Sequence, residues 1–339
     1  MYSEQDLTDA TAAGVIAPGT AEALRSFVAD RRATPAADEE QVRLVTSFND
    51  IFVAIAGLVL LVATSALLAD PLGNIATAAA AWGLAEYFTR QRRMALPSIL
   101  FLAFFASGVF GATFRLLAMA GLPAGTAAGQ QAGYTVALAG VVTAAAAFLH
   151  WRRFHVPITV AAGAAAVVAT LGGLVSGVLD VEFNQLLPFF IILGAATFAF
   201  AMWWDASDVA RRTRRSDVAF WLHLLSAPLI VHPIFALLGV FSGDLNALTA
   251  VLVVVIYVTL GAVALVIDRR ALMVSALAYV LYAIYTLLDA GGLGTSFALT
   301  GVLIGSSLLL LSALWQRLRR PLVVALPAAW QARVPPAIG

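Results

Sequence analysis

The ionisable residues inside long apolar stretches are where this chain could do chemistry, because a charge in hydrocarbon is costly and is kept for a reason. His223 and His232 share the stretch FWLHLLSAPLIVHPIF. On a regular helix they lie on nearly opposite faces, about 13 Å apart along the axis. One metal ion cannot take both. His232 could relay protons, and a packed or hydrogen-bonded histidine is the plainer role for each. His150 and His155 flank an arginine pair, Arg152 and Arg153. A haem or metal held between helices by these histidines has no motif behind it, and no cofactor or metal is expected. Glu86 falls a few residues before Arg90. It reads either as an interfacial carboxylate paired with Arg90 or Arg93, or as a proton or cation site at an inner mouth. Asp50 enters at the same depth and could share that site or cap the first long helix. Arg115 lies about 30 Å further along its helix than the inner end. That depth keeps it from Glu86. It could draw anions into an outer cavity or snorkel to headgroups, with Asp70, Asp180 or Glu182 as partners. Tyr279, Tyr282 and Tyr285 form a stripe that could line a polar path or pack as a seam.

These residues need helices to position them, and the composition says which kind. Of 339 residues, 61% are apolar and only 12% are charged. Mean hydropathy is +0.92. A soluble fold cannot hide that much apolar surface, and disorder needs the opposite composition. A bilayer core of about 30 Å takes roughly 20 helical residues. Ten apolar runs approach that length: 50–69, 72–88, 96–119, 131–149, 156–179, 186–204, 218–241, 247–267, 271–288 and 296–315. None alternates as a barrel strand must. The expectation is an all-α polytopic bundle of about ten transmembrane helices arranged as five hairpins.

Arginine placement orients the bundle. All 20 basic residues are arginines. Clusters at Arg90/Arg92/Arg93, Arg152/Arg153, Arg211/Arg212/Arg214/Arg215, Arg269/Arg270 and Arg317/Arg319/Arg320 each follow an even-numbered run. Positive loops stay inside, so both termini are expected in the cytoplasm. The address is then the inner membrane of a bacterial cell, multi-pass, N-in and C-in. The acidic, polar start is the reverse of a signal peptide's basic start. Arginine clusters recur every 50–60 residues, and Asp70-x-x-x-Asn74 resembles Asp180-x-x-x-Asn184 on the other side. Duplicated hairpins would explain both, as would the anchors and caps that any hairpin protein needs.

Three parts are expected. Residues 1–48 form a cytoplasmic helical head and linker, 49–320 the transmembrane domain, and 321–339 a cytoplasmic or interfacial tail. In the head, Ser3 can cap a first helix that Gly14 ends, and Thr20 can cap a second over 21–32. Residues 33–40 read as linker. In the membrane domain, Pro188, Pro228 and Pro233 break helix ladders and free carbonyls, as transporter helices do at a substrate site. Glycines 108, 111, 121, 125, 129, 172, 173 and 177 permit close helix packing.

The opening, from Leu7 through Gly14-Val15-Ile16 to Ala21 and Arg25, resembles the start of a class of uncharacterised bacterial membrane proteins. These carry a short helical head before many membrane helices, and the resemblance implies no activity. In helix number and topology the chain is also similar to the drug/metabolite transporter superfamily, which implies a transporter. No nucleotide-binding, zinc-protease or serine-hydrolase motif is present. A net charge of +1 gives no reason to expect nucleic acid. Two functions follow as expectations: a secondary transporter or flippase of a small or lipid-like substrate, or a scaffold or sensor holding a protein partner through residues 1–48 and the arginine loops. The candidate residues are Glu86, Arg115, His223, His232, Asp50 and Tyr282.

Overall fold

The computed structural model describes residues 4–31, 48–122, 129–209, 211, 213–240, 247–270, 272–273, 277, 280–282, 284–285, 288 and 295–336. Among these the chain is all-helical, without a strand. It divides into two units, the head and the long apolar remainder.

The head holds α1 (Glu4–Ala12) and α2 (Pro18–Arg31). Gly14 ends α1 at φ 72. The N–H of Val15 reaches Ala10 O and that of Gly14 reaches Thr11 O, which is the Schellman pairing. The second helix starts earlier than a Thr20 cap would place it. Pro18 sits in its first turn, where a fixed φ and a missing N–H cost nothing, and Ala17 O takes the first bonds. Ser3 and the 33–40 linker lie outside the described residues.

In the second unit α3 (Phe48–Leu67) leads to α4 (Leu72–Leu84), which continues as a π-helix over Ala85–Gln91. Then come α5 (Ala95–Met119), α6 (Gly129–Phe154), α7 (Ile158–Leu179), α8 (Leu187–Ala206), α9 (Arg214–Leu237), α10 (Ala247–Ile267), α11 (Ser296–Val324) and the one-turn α12 (Ala328–Gln331). Among the described residues, eight helices are long and apolar enough to cross a membrane: α3, α5, α6, α7, α8, α9, α10 and α11. The chain is therefore built as a multi-pass membrane protein. The run at 72–88 is met by α4 and its π extension, whose α-helical part is only 13 residues. Much of the run at 271–288 lies outside the described residues.

The outward faces are apolar: Phe52 is 63% exposed, Val258 64% and Leu309 73%. In water such a surface would be untenable, whereas lipid tails cover it at no cost. Inside, small residues set the spacing. A Cβ at Gly133 on α6 would fall 2.6 Å from Gly173 O on α7, so these backbones touch directly. Larger rings fill the wider gap around α4 and α6, where Trp82, Phe105, His150 and Phe154 meet edge to face or tilted. Pro188 falls in the first turn of α8, so it breaks nothing there. Pro228 and Pro233 do lie inside α9.

Candidate functional site

Helix α4 is tied to different neighbours at its two ends. At its start, Arg115 on α5 pairs with Asp70 at 3.1 Å, and Asn74, one turn after Asp70, donates to the same carboxylate at 2.6 Å. Both charges are about half exposed. Gly111 leaves the room Asn74 needs, since a Cβ there would sit 2.7 Å from its Oδ1. An open cleft of about 560 Å³ lies over this pair, lined by Ser65, Asp70, Asn74, Phe110, Gly111, Phe114 and Arg115. Phe110 and Phe114, one turn apart on α5, stack at 6.3 Å. The cleft thus sets an ion pair beside two aromatic faces.

At the other end of α4, Glu86 accepts two bonds from Arg153 at the end of α6, Nε at 2.7 Å and Nη2 at 2.9 Å. Arg90, one turn on, stands 3.5 Å away. The two parallel bonds fix the geometry of the pair, while its exposure to solvent keeps its worth small. It sits on the π-helix, a wider turn that recurs at functional sites. Just beyond, the guanidinium of Arg92 donates to the Tyr87 hydroxyl.

A third cluster is buried at the arginine-rich ends of α8–α11. Asp205, near the end of α8, accepts from Arg269 Nε at 3.2 Å and also from Arg269 Nη2, and it meets His223 Nε2 at 2.9 Å. Arg269 further donates to Ser216 O at 3.1 Å and to its hydroxyl. Beside it, Asp268 accepts from Arg211 at 3.2 Å and from the Trp315 indole at 2.7 Å. Arg319 stands 3.8 Å from Asp268 and donates to the carbonyls of Leu265, Pro335 and Pro336. Arg269 is 1% exposed and Arg319 0%. Guanidinium and carboxylate face each other throughout, so the cluster holds helix ends together rather than offering a reactive atom. Sequence reasoning treats these arginines as loop anchors and passes over Asp205 and Asp268. The available signal was two lone aspartates close to arginines in a chain with few charges.

The sequence candidates are scattered. Glu86 and Arg115 sit at opposite ends of the bundle, as their spacing requires, with α4 between them. His223 joins the buried cluster, while His232 is exposed on the same helix. His150 is buried against Thr159 on α7 at 3.1 Å. Asp50 is buried in the first turn of α3, where the helix dipole favours a carboxylate. Tyr282 is 43% exposed and Tyr285 38%; Tyr279 lies outside the described residues. Compared with known proteins, the chain matches no family model, no curated protein and no solved structure.

Proposed function

We propose that this chain crosses the inner membrane of a bacterial cell ten times, with both termini cytoplasmic, and works as a secondary transporter or flippase of a small amphiphilic or lipid-like substrate. One observation carries the reading: a thin helix, α4, is fastened at opposite ends by half-exposed ion pairs to two different helices. Each pair joins residues far apart in sequence, Asp70 to Arg115 and Glu86 to Arg153. Exposed pairs are worth about 0–1 kcal/mol, so either can open without unfolding anything. Alternating access needs two such closures, one at each face, never open together.

The cleft at Asp70 and Arg115 suits the substrate. A headgroup anion can take the place of Asp70 on the Arg115 fork, while Phe110 and Phe114 receive the apolar part. Small residues along α4, from Ala76 to Ala81, let it slide against α5. The buried cluster of α8–α11 would act as the fixed half against which α4 moves.

The test is translocation in phosphatidylcholine vesicles carrying a fluorescent anionic phospholipid, with dithionite bleaching the outer leaflet. Protein-loaded vesicles are expected to expose the protected inner fraction faster than empty ones. Glu86→Gln and Arg115→Gln should each slow that exposure at least tenfold, and Arg115→Lys by less. Wild-type rates in both neutralised variants would reject the route.

A further inference from the structure

Asp268, Arg269 and Arg270 follow α10 in a row, and the backbone sends them apart. Asp268 adopts φ 57, the left-handed region, which turns the chain sharply after the helix. Arg269 therefore points inward to Asp205, and Arg270 swings the other way. Its guanidinium lies over the Trp315 ring, 4.9 Å from the centroid. Trp315 is held there by its bond to Asp268.

Beneath Arg270 runs a narrow pocket of about 190 Å³, lined by Tyr257, Met273, Leu277, Leu308, Leu311 and Trp315, with Ser312 beside them. Along α11 it extends from Leu308 to Trp315, about 10 Å at 1.5 Å per residue. Its wall is almost wholly apolar and Arg270 stands at one end. A slot of that kind has no partners for water, nor for a hydrated headgroup.

The surrounding charge is lopsided. Among the described residues at this end, the carboxylates of Asp205, Asp268 and Glu86 are engaged by arginines, Asp208 accepts from Thr213, and Asp217 stands in the first turn of α9 beside Arg214. Arg214, Arg215, Arg317 and Arg320 are exposed there as well. The end of the pocket marked by Arg270 thus opens beside a positive rim.

We propose that this pocket holds the headgroup-proximal half of one acyl chain of an anionic phospholipid, with the phosphate against Arg270. The site is separate from the α3–α6 route and does not depend on it. The tail gains little, since the pocket is no more apolar than the bilayer it leaves. Selection between lipids must come from the headgroup, where one arginine near the surface is worth about fivefold.

The experiment reads the lipid that stays bound. Full-length protein is reconstituted in vesicles of equimolar phosphatidylglycerol and phosphatidylcholine, extracted in mild detergent, and weighed intact with its lipids. Phosphatidylglycerol is expected to be enriched about fivefold over phosphatidylcholine. Arg270→Gln should erase the enrichment and Arg270→Lys keep most of it. Arg317→Gln, the same charge change on the rim two residues beyond Trp315, should lower it far less. Leu308→Trp fills the pocket and should lower retention of both lipids, with the elution volume of the folded protein unchanged. Equal retention in wild type overturns the site. So does an Arg317→Gln loss as large as that of Arg270→Gln, or full retention in a folded Leu308→Trp. If Arg270→Gln does not fold, Arg270→Lys and Leu308→Trp decide alone.

Discussion

Asp205 is the residue whose removal should cost most. Its carboxylate is 5% exposed and faces two buried partners, Arg269 at 1% and His223 at 0%. In Asp205→Ala the guanidinium of Arg269 keeps hydrogen bonds only to Ser216 and stays buried with no carboxylate bonded to it. Breaking a buried pair by removing one partner costs about 3–5 kcal/mol. For a chain larger than 200 residues, each kcal/mol moves the melting point by roughly 2 °C, so the drop should be roughly 6–10 °C. Removing both charges is a different matter. Asp205→Leu with Arg269→Met trades the pair for apolar contacts, and such replacements are often neutral or stabilising. The double variant should therefore melt several degrees above Asp205→Ala. Melting is followed by the elution of intact protein after heating in detergent, with Asp205→Leu and Arg269→Met alone completing the cycle. A single variant melting within a degree of wild type would refute the reasoning. So would a double variant as unstable as Asp205→Ala.

The half-exposed pairs should behave otherwise: Glu86→Gln is expected to shift the same melting point by no more than roughly 2 °C, because such a pair contributes at most about 1 kcal/mol. Gly133→Leu should be severe, since its Cβ would strike the backbone of Gly173 and Gly177, and loss of the monodisperse elution peak is the readout. Gly301→Ala, where nothing lies within 4 Å of the new Cβ, should instead be neutral or gain up to about 1 kcal/mol, seen as a small rise in melting point. The chain has no cysteine, so single cysteines report topology without background. An impermeant maleimide on whole cells should label Asp180→Cys and miss Arg152→Cys and Arg320→Cys; the reverse pattern would invert the orientation.

Much of the fold is readable because hydrophobic length is a local property. Runs such as 96–119 and 156–179 come within a residue or two of α5 and α7. The run at 72–88 was harder, because a 13-residue α-helix passes into a π-helix and nothing local in AEYFTRQ announces the change. Pairing was legible only over short distances or where one end of the bundle narrowed the choice. Arg90 is one turn from Glu86 and is read directly. Asp70 is among the few acids near the depth of Arg115. Arg153, 67 residues from Glu86, is not readable as its partner, because that contact depends on how α4 and α6 pack. The buried cluster is hidden in the sequence for a related reason. Two adjacent arginines look alike in sequence, and only the left-handed turn at Asp268 decides that Arg269 goes in while Arg270 goes out.

The long reach of that cluster bears on biosynthesis. Asp205 leaves the ribosome 64 residues before Arg269, and Asp268 precedes Trp315 by another 47. Until the later segments emerge, the nascent hairpin of α8 and α9 carries an acid whose counter-ion has not yet been translated. Release from the insertion machinery should therefore wait for the last third of the chain, and premature stop codons after α9 should yield products cleared by membrane quality control.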